Sequence, residues 1–235
     1  MGQPPRNPPL PRDHALPRNP ALPRNPALPR NPPAWPVPEY HPCMSATTNP
    51  DRIYFTDDDE ANRLLAIDPM ALLIGMVLDQ QVSVQKAFSG PLELKKRLGT
   101  LEAAQIAATD ASRLEAAFRE RPAIHRFPGN MARRVQELAA AIATQYGNDP
   151  RRVWAEAKDA KDLEQRLLTL PGIGAMKAAN LVSILARRFG VRPEGWEALA
   201  PKFPTLGDVD SPEALATYRA GKAAWKAELR EKSTP

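Results

Sequence analysis

The sequence predicts an all-α protein, and three observations carry that prediction. After Asp51, apolar residues return every three or four positions, as at Val135, Leu138 and Ile142, which is the spacing of one helix face. Two Asp–Pro pairs, Asp68–Pro69 and Asp149–Pro150, each join a capping carboxylate to a proline suited to a helix's first turn. Only RIYF, residues 52–55, reads as a strand.

In chain order, Asp68–Pro69 opens MALLIGMVLDQQ, Thr100 caps LEAAQIAA and Asp110 caps ASRLEAAFRE. Asn130 starts MARRVQELAAAIATQY, which Gly147 ends, and Asp149–Pro150 precedes RRVWAEA. DLEQRLLTL, a PGIG turn and AMKAANLVSILARRF follow, stopped by Gly190. Residues 191–209 hold three prolines and two glycines and are expected to be irregular, with one short helix at Trp196–Ala200. Ser211–Pro212 caps a last helix, EALATYRAGKAAWKAELRE. Trp154, Trp196 and Trp225 are expected in the core. About 190 residues of this kind can bury a core without disulfides or metals.

The first 43 residues differ in kind. They hold 15 of the 27 prolines and three successive copies of ALPRNP, at 15–20, 21–26 and 27–32. Proline this dense forbids helix interiors and sheet ladders, so residues 1–49 are expected to be an extended low-complexity tail before a domain at 50–235. Met44 is an alternative start for the folded protein. The tail has no signal-peptide apolar region, and no later run reaches membrane-spanning length.

Net charge is +5 with a pI near 9.5. Five tail arginines against Asp13 and Glu39 account for +3, leaving +2 for residues 44–235. A body this weakly basic permits nucleic-acid binding through a local patch without arguing for it. Cys43 is the only cysteine, which excludes an internal disulfide, cysteine-ligated zinc or an iron–sulfur cluster and suits a reducing cytoplasm. His14, His41 and His125 form no ligand cluster, so no catalytic metal is implied.

The most informative stretch is LPGIGAMKAANLVSILARRFG, residues 170–190. Pro171 stops one helix, and Gly172 and Gly174 allow positive φ and close approach of another backbone. The next helix begins at once, so its first N–H groups point outward and can accept a phosphate oxygen. Ile173 pins the turn to the core. LPGIGAMKAANL resembles the helix-hairpin-helix motif, L-P-G-apolar-G followed by three residues, Ala and an apolar face.

About a hundred residues earlier, LLIGMVLDQQVSVQKAFSGPLELKKRL resembles the opening helix of the base-excision DNA glycosylases that share this hairpin, the helix-hairpin-helix/Gly-Pro-Asp superfamily. The string Gln80–Gln81–Val82–Ser83 is similar to one in its alkyl-base glycosylases. The resemblance spans roughly Asp68 to Ala216 and also fits uncharacterised bacterial members. It implies two helical lobes flanking a cleft, with double-stranded DNA carrying a damaged base as partner and a cytoplasmic, nucleoid-associated monomer. A DNA-contacting set follows: Leu170, Gly172, Ile173, Gly174, Met176, Lys177, Gln80 and Gln81. Gln81 corresponds to the plug that fills the space left by an extruded base; its alternative role is to cap the end of a buried helix.

Breaking an N-glycosidic bond builds positive charge on the sugar, which a nearby carboxylate opposes. Bifunctional members add a lysine nucleophile, but Met176 stands at that position. Lys177 follows about 100° further round the helix and is expected to face phosphate or solvent. The resemblance therefore implies a monofunctional glycosylase. For the acid it points to Val209–Asp210–Ser211, although Asp210 lies 34 positions beyond Met176, further than in the family. Asp208, Glu194 and Glu197 stay open as alternatives, and capping is the plain alternative role for Asp210 and Ser211. His125 and Arg126 read as a solvated basic turn, and Arg133 and Arg134 as phosphate contacts. The 191–209 loop, with Trp196 and Phe203, would wall the base pocket. The resemblance brings no cofactor, only a monovalent cation on hairpin carbonyls. A noncatalytic DNA-binding or damage-sensing protein is the alternative function.

Overall fold

Short polar side chains start most of the helices, and the apolar faces they launch close on one core. The computed structural model describes residues 50–233; the readings of the tail, Met44, Cys43, His14 and His41 lie outside those residues. The helices are α1 (Asp59–Ile67), α2 (Pro69–Leu78), α3 (Val84–Leu98), α4 (Ala103–Ala108), α5 (Ala111–Arg119), α6 (Pro128–Gln145), α7 (Arg152–Ala155), α8 (Ala160–Thr169), α9 (Ala175–Arg188), α10 (Trp196–Leu199) and α11 (Pro212–Ser233). A 3₁₀ turn, Leu206–Asp208, precedes α11. Among the described residues there is no strand, so the all-α fold holds.

RIYF is extended but has no strand to pair with. Instead Asn62 of α1 takes its backbone: the Ile53 amide donates to the Asn62 carbonyl at 3.2 Å, and the Phe55 and Thr56 amides donate to Asn62 Oδ1 at 3.1 and 3.0 Å. Ile53 and Phe55 are thereby driven into the core.

Asp68 and Asp110 cap α2 and α5, and Ser211 Oγ accepts from Ala214 at the start of α11. Two predicted starts differ. α4 begins at Ala103, not beside Thr100, because Asn148 Oδ1 reaches across to accept from the Ala104 amide at 2.7 Å. α6 begins at Pro128, two residues before Asn130, since proline's fixed φ already suits a first helical turn.

α2 is buried from Met70 to Leu78. α3 runs against it so closely that a Cβ on Gly75 would lie 2.5 Å from the Phe88 ring. α6 packs on α2, α4 and α5, while α8, α9 and α10 form a second group with the 3₁₀ turn. Fully burying each Leu, Ile or Phe along these seams contributes about 1.5–3 kcal/mol. Trp154 and Trp196 pack against the core as expected; the side chain of Trp225 lies outside the described residues. Among the described residues no single helix is long and apolar enough to cross a membrane.

Candidate functional site

The corner between α8 and α9 touches the first helical group at Val77. Leu170 and Ile173 are 2% and 5% exposed, and the Ile173 amide closes the turn on the Leu170 carbonyl at 3.1 Å. Gly172 has φ +83°, and a Cβ there would sit 3.2 Å from both methyls of Val77. Gly174 is extended (φ −98°, ψ 175°), and a Cβ there would meet nothing within 4 Å. α9 then begins without a side-chain cap, with Gly174, Ala175 and Met176 exposed. Only Gly172 therefore needs positive φ; Gly174 keeps the surface bare. Leu170 and Ile173 are anchors, too buried to contact DNA through their side chains. Uncapped amides at an open helix start suit an anionic oxygen.

The turn after α2 is wired by side chains. Gln80 Nε2 donates to the Val77 carbonyl at 2.8 Å, and Gln80 Oε1 accepts from Arg134 Nη1 at 2.7 Å. His125, 1% exposed, bonds the Gln80 carbonyl through Nε2 at 2.9 Å, while its Nδ1 accepts from the Phe127 amide at 3.1 Å. With Nδ1 an acceptor and Nε2 a donor, the ring is the neutral Nε2–H tautomer. Burial pushes its pKa below the usual histidine value, against hydrogen bonds to the Gln80 and Leu78 carbonyls. His125 is thus an internal strut and not a solvated basic side chain. Arg134 is occupied by Gln80, whereas Arg133 is exposed beside Glu137 at 3.8 Å. Gln81 is left exposed with φ 55°, a left-handed backbone that costs a non-glycine residue roughly 1–2 kcal/mol.

Lys177 does not face solvent. Its Nζ donates to the Val77 carbonyl at 3.0 Å, linking α9 to the end of α2. The 100° rotation from Met176 is real, but it turns the side chain inward, because α2 lies on that side. Burial lowers the Lys177 pKa to about 8, opposed by the charge of Asp79. α11 reaches the same place. Burial raises Tyr218; burial pushes Lys222 down, but Asp79 and Tyr218 outweigh that and leave it raised. Lys222 Nζ lies 5.6 Å from the Tyr218 ring centre, and Arg219 donates to the Gln85 amide oxygen of α3.

The four acid candidates separate by place. The Glu194 carbonyl accepts from the Ala160 amide at 2.9 Å, at the start of α8, so Glu194 and nearby Glu197 sit about 15 Å from the corner, a helix length away. Trp196 sits at that far end as well, so this half of the 191–209 segment does not wall the corner. The chain then returns. Gly207 packs on α9 where a Cβ would lie 2.6 Å from Ser183 Oγ and 2.8 Å from its carbonyl, and Ser183 Oγ bonds Thr205 Oγ1 at 2.9 Å. Asp208 is consumed here: its Oδ2 accepts from Thr205 N at 2.8 Å and Thr205 Oγ1 at 3.0 Å, and its Oδ1 pairs with Arg187. Asp210 is exposed and makes no side-chain hydrogen bond or ion pair among the described residues; Ser211, not Asp210, supplies the cap.

Residues 74–223, nearly two thirds of the chain, match the family described as HhH-GPD superfamily base excision DNA repair protein. The chain belongs to the HhH-GPD superfamily. No curated protein matches it in sequence. As an HhH-GPD protein it has the superfamily's all-α fold and its association with DNA and base excision repair, in a superfamily made up mostly of DNA glycosylases. The matched span begins inside α2 and ends inside α11, so it takes in both turns and the returning segment.

Reading the sequence alone missed Asp79, Tyr218 and Lys222 of this HhH-GPD protein. One signal was present: Asp79 is the only charge between Pro69 and Val82. Tyr218 and Lys222 sit four apart on α11, and nothing in their spacing tells which helix they meet. Among the described residues no group of three His, Cys, Asp or Glu is placed to hold a metal ion.

Proposed function

We propose that this HhH-GPD protein is a monofunctional DNA N-glycosylase that acts as a monomer and hydrolyses the bond between a damaged base and its sugar in double-stranded DNA. The observation that carries the reading is the pairing of two turns across Val77: a bare corner with unfilled amides, and an exposed glutamine held in a left-handed backbone. The corner suits a phosphate oxygen. Gln81 suits the hole left by an extruded base, where its amide can bond the orphaned partner and offset part of the few kcal/mol that unstacking costs. Of the acids considered from sequence, Asp210 keeps a free carboxylate near the start of α11, and we assign it to oppose the positive charge that grows on the sugar.

Met176 has no amine to attack the sugar, which supports release by water without strand cleavage. The Gln80–Ser83 string supports alkylated bases as substrates. No cofactor enters the reaction; a monovalent cation on hairpin carbonyls is compatible with it and drives no step. The test is a panel of duplexes carrying alkylated, oxidised or deaminated bases, incubated with the full chain. Release of at least one modified base is expected, with an abasic site left uncut and no covalent adduct on borohydride reduction. Binding without any release would leave a noncatalytic damage sensor, and an adduct would overturn the monofunctional assignment.

A further inference from the structure

Asp79 stands where the fold gives a carboxylate no support. It caps the C-terminal end of α2, the negative end of the helix dipole, where an anion is disfavoured. The helix before it is wholly apolar and buried, and Asp79 itself is half-buried. Yet among the described residues its side chain makes no hydrogen bond and no ion pair, in contrast to Asp58, Asp68, Asp110 and Asp159, which all cap helix starts. Groups of this kind are ordinarily bonded, and local rules broken without structural return cluster at functional sites.

Its surroundings point the same way. Lys177 comes from α9, just beyond the corner, and is tied to the carbonyl of Val77 two residues before Asp79. Tyr218 and Lys222 come from α11, near enough to feel the Asp79 charge. Gln81 follows two residues later. Asp79 is therefore the carboxylate common to the plug turn, the hairpin helix and α11. Asp210 is eight residues from Tyr218, about 12 Å along α11, and approaches from the other end of that helix.

We infer that Asp79 is a second catalytic carboxylate of this site, orienting the water that attacks the extruded nucleoside while Asp210 opposes charge on the sugar; this rests on the glycosylase reading. In the reaction the C1′–N bond breaks with its electron pair on the departing base. Water oxygen forms the new C1′–O bond, the water proton passes through the Asp79 carboxylate to solvent, and the base takes a proton from solvent. The division matches the general use of two carboxylates at a glycosidic bond, with one for the water and room for it between them.

Single-turnover base release by the full chain tests this, with the wild type, Asp79→Asn, Asp79→Glu and Asp210→Asn compared on the best lesion duplex. Asp79→Asn should slow release about 100-fold, with binding to an uncleavable duplex and thermal unfolding unchanged, because no bond in the fold is lost. Asp79→Glu should recover part of the rate. Release by Asp79→Asn within about threefold of wild type overturns the inference and leaves the glycosylase intact. A wild type that releases no base from any duplex removes both. A fall in Asp79→Asn that is matched by lost duplex binding or a lowered unfolding temperature assigns Asp79 a structural part and also overturns it.

Discussion

The corner at Gly172–Gly174 and the turn at Gln80–Gln81 lie on either side of Val77, and they are stiffened by opposite means. The corner works by omission: one glycine fits the Val77 methyls, another leaves its outer surface empty, and Ile173 anchors the bend. The Gln turn works by addition, with His125, Arg134 and the Val77 carbonyl all bonded to Gln80 so that Gln81 is held out. A surface that must admit a phosphodiester cannot carry side chains. A side chain that must enter a duplex needs a framework behind it.

The largest effect should come from placing valine at each hairpin glycine. Gly172→Val combines a left-handed β-branched residue with overlap on Val77, costing about 3 kcal/mol and lowering the unfolding temperature by roughly 6–12 °C, with DNA binding lost. Gly174→Val has open space and a compatible φ, so its stability should stay within about 0.5 kcal/mol while duplex affinity falls at least tenfold. Calorimetry and fluorescence anisotropy separate the two. A Gly174→Val protein that binds as well as wild type would show that the corner is no contact.

Cutting the struts of the other turn comes next. His125→Phe leaves the Gln80 carbonyl and Phe127 amide without their partner, a cost of about 1–3 kcal/mol. It should impair base release more than binding to undamaged duplex. The histidine also sets a pH response. Because its folded pKa is depressed, the unfolded chain binds the extra proton first, so this contribution to stability is complete above about pH 6.5 and declines as pH falls below it. Unfolding temperatures measured from pH 7.5 to 5 should fall more steeply for wild type than for His125→Phe.

The smallest effect tests the link between the turns. Lys177→Met removes a desolvated ammonium whose pKa is lowered to about 8. The unfolded chain holds that proton more tightly, so the cost is complete below pH 8 and is relieved as pH rises toward the ordinary lysine value. The variant should gain about 1 kcal/mol at pH 7, or roughly 2–4 °C, an advantage that shrinks above pH 8. Equal unfolding temperatures across that range would mean the ammonium carries no burial cost.

How much of this was legible follows from the same contrast. The corner is local, so its glycines, proline and apolar anchor stand within five residues and announce both turn and surface. The Gln turn announces only its tip: His125 and Arg134 lie 45 and 54 residues beyond Gln80, and no spacing rule links them to it. Long-range satisfaction also moved the start of α4, since Asn148 caps it from 44 residues away. Rotation alone told that Lys177 leaves the Met176 face, but not that α2 waits on the other side. Asp208 and Asp210 look alike in sequence and differ through Thr205 and Arg187, which engage only the first.

The clasp of Gly207 on Ser183 has a consequence for the unusual spacing between Met176 and Asp210. The chain leaves α9 at its distal end, wanders through residues 191–204, and is re-registered on the middle of the same helix before α11 begins. Whatever length that excursion takes, the residues after the clasp start from one set point. Evolution can thus lengthen or trim the detour as an independent ornament, with the geometry downstream blind to the change.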